Sequence, residues 1–378
     1  MKDSDYREIN GVKVRFNRLY NPNRFNGLDA ALAYIVALVA FIALPTVFSL
    51  CFKNLFVALY KYDVFAYMIV NTLVSQSIIF LVAFSFCGIK KVSPFNGGGY
   101  VAKWDGVQIM MGVLMIMGVM LTFYGAHITI SENFGIFFNT GTVGLEENYS
   151  DLYVLYALIY YIMSAVFPAV IEEMLFRGVI MRGLEQFGGA FAIVCSAVMF
   201  SLMHGSFSQM LLQFIGGLAI GSIVMLTKNW LIGSFMHMFN NAFAVVYALV
   251  LESPALTVVG SYIQSMATAV SIILGVSFLI ISSIYYIGMF ADKIKREANG
   301  NVKKDKFRQK VYYAYKCGEQ ERLIEAHIIP DIRGKSEEDI REFSVFGKYR
   351  KLNVCANSIV SYILLGVGIA LAVIGIFI

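Results

Sequence analysis

The stretch Ile171-Glu172-Glu173-Met174-Leu175-Phe176-Arg177-Gly178 sets three charges at the end of a long apolar run. Charges in or beside hydrocarbon are costly, so each needs either a partner or a task. On a helix Glu173 and Arg177 stand at i and i+4, with the acid on the N-terminal side, the better orientation for an ion pair. Glu172 points about 100° away and has no opposite charge within a turn of its own helix. The spacing therefore predicts a structural carboxylate, Glu173, beside one free for chemistry, Glu172.

Working outward, the 378 residues are 58% hydrophobic and 15% charged, with 6 prolines and a net charge of +5. Repeated apolar runs of about 20 residues predict transmembrane helices. The fold class expected is all-α, a polytopic transmembrane bundle of about eight or nine spans. The runs lie at about 30–52, 64–88, 107–130, 152–171, 190–204, 208–227, 231–251, 258–287 and 355–378. This divides the chain into a polar N-terminal tail (1–28), a transmembrane domain (29–290), a basic segment (291–353) and a last helix (354–378). The tail is too long and too charged for the n-region of a cleaved signal peptide. With the N-terminus cytoplasmic, the inward segments hold every Lys and Arg except Lys53 and Lys61, as the positive-inside rule requires. The stretch 53–63 is then a short outer loop, and 131–151, which has acids but no Lys or Arg, is another.

Other local signals are structural. Pro168 should bend the fourth span, and Gly188-Gly189 should turn the chain into the fifth. Gly217 and Gly221, at GxxxG spacing, favour close helix packing. The glycine run Asn96-Gly97-Gly98-Gly99 reads as a turn, since no GK[ST] follows, and Gly334-Lys335-Ser336 lacks the first glycine of a Walker A motif. Cys51, Cys87, Cys195, Cys317 and Cys355 show no metal-ligand spacing and read as free thiols. The basic segment reads as a solvated appendage near anionic lipid, with docking of a substrate or regulator as the sharper alternative. Nucleic acid is not an expected partner.

Two of the four histidines, His204 and His237, lie in apolar runs with companions at helical spacing. Phe200 precedes His204 by four and can pack on its ring. His237 and Asn241 present two polar groups from one face. His127, on an apolar helix, reads as a packing residue, and His327 as a surface one. Glu172, His204, His237 and Asn241 together supply a base, an imidazole and hydrogen-bond donors in an otherwise dry bundle. Attack of water on an amide needs those functions. Both Glu172 and His204 lie 16 residues from Gly188, about 24 Å along their helices, so they can share a depth. A zinc set of Glu172, His204 and His237 is the alternative, although no HExxH is present and the acid would be lost as a base.

At these residues the chain resembles the CPBP family (CAAX proteases and bacteriocin-processing enzymes, also called Abi), which includes the type II prenyl-protein CAAX endopeptidases. The family pattern EExxxR, FxxxH and HxxxN is met by Glu172-Glu173…Arg177, Phe200…His204 and His237…Asn241, with Gly178 and Gly205 as accompanying glycines. The resemblance covers about residues 150–250. It implies an all-helical intramembrane endopeptidase with Glu172 as catalytic glutamate, His204 assisting, and His237 with Asn241 binding the oxyanion. It implies Glu173, Arg177 and Phe200 as supporting residues, and no required cofactor, with zinc as the alternative. The expected substrate is a membrane-associated peptide or a lipidated protein, met in membrane lipid, and the expected location is a bacterial plasma membrane. Processing of bacteriocin precursors or immunity falls within the same expectation.

The rival class is a non-catalytic membrane protein, an immunity factor or scaffold that uses the same polar cluster as helix glue. A scaffold should satisfy each polar group with a neighbour. A hydrolase should place the Glu172 carboxylate and the His204 and His237 rings around one water-sized cavity reachable from the cytoplasmic side or from lipid.

Overall fold

The computed structural model describes residues 6–9, 12–15, 25–90, 104–134, 150–205, 207–252, 254–298 and 356–377. The segment 299–355, the glycine run at 96–99, most of the loop 131–151, His327, Cys317, Cys355 and the side chain of His127 lie outside the described residues. Within them the protein is an all-α polytopic bundle. A short antiparallel hairpin, β1 (Tyr6–Ile9) and β2 (Val12–Arg15), precedes it, pairing Tyr6 with Arg15 and Ile9 with Val12.

The helices are α1 (Gly27–Cys51), α2 (Lys53–Tyr62), α3 (Val64–Lys90), α4 (Gly106–Phe134), α5 (153–184), α6 (Gly189–Met203), α7 (Phe207–Thr227), α8 (Trp230–Glu252), α9 (Pro254–Ala298) and α10 (Ala356–Phe377). Among the described residues seven helices are long and apolar enough to cross a membrane, and α6 is a shorter apolar helix beside them. Their outward faces are apolar: Ile273, Ile284 and Ile287 of α9 are all more than half exposed. Such a surface suits hydrocarbon rather than water, and the protein is integral to a membrane.

The expected runs reappear as helices, with one correction. The stretch 53–63, read as an outer loop, folds over its first ten residues as the helix α2. Aromatic side chains at helical spacing explain this, since Phe56 packs against Phe48 of α1 and Tyr67 of α3, and Tyr60 also meets Tyr67.

Helix starts follow from short polar side chains. Asn26 and Asp29 form a reciprocal capping box at α1, and Asp63 accepts from the Ala66 N–H at α3, each satisfying donors that a helix start leaves open. Lys90 at the end of α3 reaches back to Asp29 (2.8 Å), fixing the relative heights of α1 and α3. Glycines set the closest crossings. Gly118 of α4 meets the backbone of Gly275 on α9, Gly217 of α7 lies against Ala197 of α6, and Gly368 of α10 receives the ring of Tyr34. At Gly217 a methyl group would come within 3.2 Å of Ala197 on α6, a tight approach that suits a small residue, whereas at Gly221 it would meet Ile193 only in ordinary contact at 3.5 Å.

The buried core is centred on α5, enclosed by α1, α3, α6, α7 and α8. The helix carrying the quoted stretch is thus the axis of the bundle.

Candidate active site

The α5 helix is irregular where the charges sit. Residues Ile162–Val166 and Met174–Met181 form wider π-type turns, with an ordinary α-helical segment, Phe167–Glu173, between them. Pro168 stands at the start of that segment. A proline ring would clash with the carbonyl one turn back, and the wide turn before it relieves the clash. The second wide stretch begins directly after Glu173 and redirects the side chains that follow. Such π-type insertions recur at functional sites.

Glu173 and Arg177 are fully buried and lie 3.1 Å apart as an ion pair. The guanidinium also donates through Nη2 to the carbonyl of Gly217 (3.2 Å) and lies over the ring of Phe200. The same glycine that permits close contact with α6 thereby offers its carbonyl to the buried cation. The same oxygen, Glu173 Oε1, is 3.1 Å from Nδ1 of His237. Glu173 is therefore the shared partner of a cation and an imidazole on two different helices.

Gly233, one turn before His237, makes this approach possible. A methyl group there would come within 2.6 Å of Val224 and 3.0 Å of Glu173 Oε2. Gly233→Ala is expected to lower stability by about 1–3 kcal/mol through overpacking and to push Glu173 off His237. Gly88→Ala, at a site with open space around it, is the matched control and should be neutral. Thermal unfolding of the two variants in detergent checks this.

Glu172 differs from its neighbour as the spacing predicted. Its side chain is 13% exposed, against 0% for Glu173. Oε1 accepts a 2.7 Å hydrogen bond from Nε2 of Gln76 on α3, and Oε2 faces Nε2 of His237 at 3.8 Å, beyond hydrogen-bond range. Among the described residues no Lys or Arg forms a salt bridge with it as Arg177 does with Glu173.

Phe200, fully buried, forms the wall behind these groups. Its ring meets the edges of His204 (4.8 Å between centroids), His237 (5.2 Å) and Phe176 (5.2 Å). His204 caps the C-terminal end of α6, followed by Gly205 with φ +61°, a conformation that suits glycine. Its Nδ1 lies 2.9 Å from the Phe200 carbonyl. A carbonyl can only accept, so Nδ1 carries the hydrogen and Nε2 is left as the acceptor nitrogen. His204 is within electrostatic reach of Glu172 and His237.

On α8 Asn240 is buried and donates through Nδ2 to Oδ1 of Asn241 (3.3 Å). That bond leaves the Asn241 amide N–H group to face elsewhere. Asn241 itself stands one turn beyond His237, and no contact joins it to Glu172 or His204. The structure thus joins Glu172, Glu173, Arg177, Phe200 and His237 by direct contact and brings His204 beside them, with Asn241 one turn away.

Among the described residues several polar atoms around this cluster are buried without a hydrogen-bond partner: Gln76 Oε1, Glu173 Oε2, Arg177 Nε and Nη1, His237 Nε2 and Ser234 Oγ. Buried polar groups are ordinarily satisfied. Among the described residues no three His, Cys, Asp or Glu side chains group as metal ligands.

Two residues were missed in the sequence. Gln76 is a lone amide in an apolar run 96 positions from its partner, and nothing in its surroundings distinguishes it. Asn240 sits beside Asn241, and its adjacency was a signal that could have been used.

Comparison with known proteins covers the segment that carries these residues. Residues 154–243 match the model of the family described as type II CAAX prenyl endopeptidase Rce1-like. The resemblance seen in the three motifs is thereby supported over the segment that carries them. A Bacillus subtilis protein named "Putative membrane peptidase YdiL" is 29% identical over 119 residues, which are 31% of this chain and 46% of that protein. The match thus spans just under half of that relative. No solved structure matches this chain.

Proposed function

We propose that this protein is an intramembrane endopeptidase of the glutamate type, hydrolysing a peptide bond in a membrane-associated peptide or lipidated protein. The observation that carries the reading is the set of unpartnered polar atoms, Gln76 Oε1 and His237 Nε2, beside the carboxylate that Arg177 does not pair. A cluster serving as helix glue would pair them, because an unmet buried hydrogen bond costs about 1–3 kcal/mol. A site that receives a water and a peptide group keeps them available.

In this mechanism a water beside Glu172 gives one proton to the carboxylate as its oxygen attacks the scissile carbonyl carbon. His204, with its hydrogen on Nδ1 held by the Phe200 carbonyl, accepts from the water through Nε2 and orients it. His237 and Asn241 donate to the developing oxyanion. A doubly protonated His237 would serve both sides, Nδ1–H to Glu173 and Nε2–H to the oxyanion. Collapse breaks the C–N bond, and the leaving amine takes the proton from Glu172. Glu173 and Arg177 hold the frame and exchange no proton.

The rest of the reading follows from the chain. The basic excess on one side supports an N-terminus in the cytoplasm, with the protein in a bacterial plasma membrane. The substrate meets the site at its anchored end, in lipid. The Rce1-like match supports a prenylated C-terminal peptide as the first probe.

The test is cleavage by purified protein in lipid of internally quenched peptides, one ending in a farnesylated Cys-aliphatic-aliphatic-X sequence and a panel of secreted-peptide precursors. Each is measured with and without a chelator. Cleavage indifferent to chelation supports the glutamate mechanism. Loss on chelation that zinc restores would replace it with the metal-dependent alternative. Failure on every peptide, with cellular function surviving loss of Glu172, would return the protein to the scaffold class.

A further inference from the structure

The contact between Glu172 and Gln76 lies partly outside the segment that matches the peptidase family, since Gln76 belongs to α3. A glutamate side chain carries three rotatable bonds, and a base that attacks through water must hold one oxygen still. Here the two oxygens are treated differently: Oε1 is held by Gln76 at 2.7 Å, and Oε2 is turned toward His237. An amide facing a carboxylate can donate only through its NH2 group, so the chemistry fixes which way the Gln76 amide points. Its carbonyl then projects from the other arm of the same group, buried and without a partner. Gln76 itself is 6% exposed, on a face shared with Ile79, Val82 and Ala83, which belong to the core.

We propose, on the premise that Glu172 is the base, that Gln76 is a positioning residue for it. Its N–H locks Oε1 and leaves Oε2 as the oxygen that takes the proton of the attacking water. The α3 helix thereby takes part in the chemistry that α5, α6 and α8 carry.

The test compares Gln76→Met, which keeps the length and removes both hydrogen-bonding functions, with Gln76→Glu, which keeps an acceptor and loses the donor. Both are measured on whichever peptide of the panel the wild type cleaves. Each variant is expected to lose about 10–100-fold in kcat, the scale of a misplaced catalytic group, while KM changes less than about threefold. An unchanged kcat in Gln76→Met, with Glu172→Gln inactive, overturns this proposal and leaves the proposed function standing. Full activity of Glu172→Gln overturns the function itself. A thermal-unfolding cycle with Gln76→Met, Glu172→Ala and the double variant needs no substrate. Non-additive midpoints support the contact, and additive ones overturn it.

Discussion

Glu172→Gln is expected to abolish peptide cleavage while leaving the protein folded and in the membrane. The substitution keeps the size of the side chain and an oxygen for the Gln76 N–H, and it removes only the capacity to take a proton. Since Arg177 pairs with Glu173 and not with Glu172, neutralising Glu172 does not strand the buried guanidinium. Loss of a general base costs about 10²–10⁴-fold, so residual turnover should fall within that range of wild type or below it. Glu173→Gln separates the roles. It also removes one charge, but from the side chain that Arg177 and His237 share, so it should lower stability and activity together. Initial rates on the quenched peptide, paired with unfolding midpoints for both variants, check the distinction. Undiminished cleavage by Glu172→Gln would remove this residue from the mechanism.

What the sequence made legible was what depends on local spacing. The i,i+4 relation of Glu173 and Arg177 survives in the structure because a single helix carries both, and the different burial and pairing of the two glutamates follow from their 100° separation. The packing of Phe200 on His204 has the same origin. The apolar runs located the helices because hydrocarbon demands about 20 residues of one kind. Relations between helices were not legible. Gln76 meets Glu172 only after α3 and α5 pack, and a single amide in an apolar run carries no periodic signal. Pro168 announced a bend, whereas the wide turns on both sides of Phe167–Glu173 depend on backbone hydrogen bonds that no residue type specifies. The His237–Glu173 contact likewise required Gly233 to let α8 approach, and a glycine in an apolar helix has many uses. Lys53 and Lys61 made α2 look like a loop, though its aromatic contacts with α1 and α3 fold it as a helix.

Arg177→Met should be the most damaging single change to the fold. The guanidinium is fully buried and touches three elements: Glu173 of α5, the Gly217 carbonyl of α7 and the Phe200 ring of α6. Removing it leaves the Glu173 carboxylate in the core with His237 as its remaining partner and strips the Gly217 carbonyl of a donor. Breaking a buried pair from one side costs about 3–5 kcal/mol, a large share of what holds a domain together. Cys87, buried and free, provides the readout, since a thiol-reactive fluorophore labels it only as the bundle opens. Arg177→Lys should recover little, because a point charge cannot serve the carboxylate, the carbonyl and the ring together. Replacing both partners, as Arg177→Met with Glu173→Leu, removes the stranded charge and should restore much of the unfolding midpoint. That double variant should still cleave poorly, because His237 has lost the carboxylate that holds its Nδ1. A folded but inactive double variant would show that the buried pair serves the site beyond its service to the fold. Wild-type stability in Arg177→Met would show that the pair contributes no more than an exposed one.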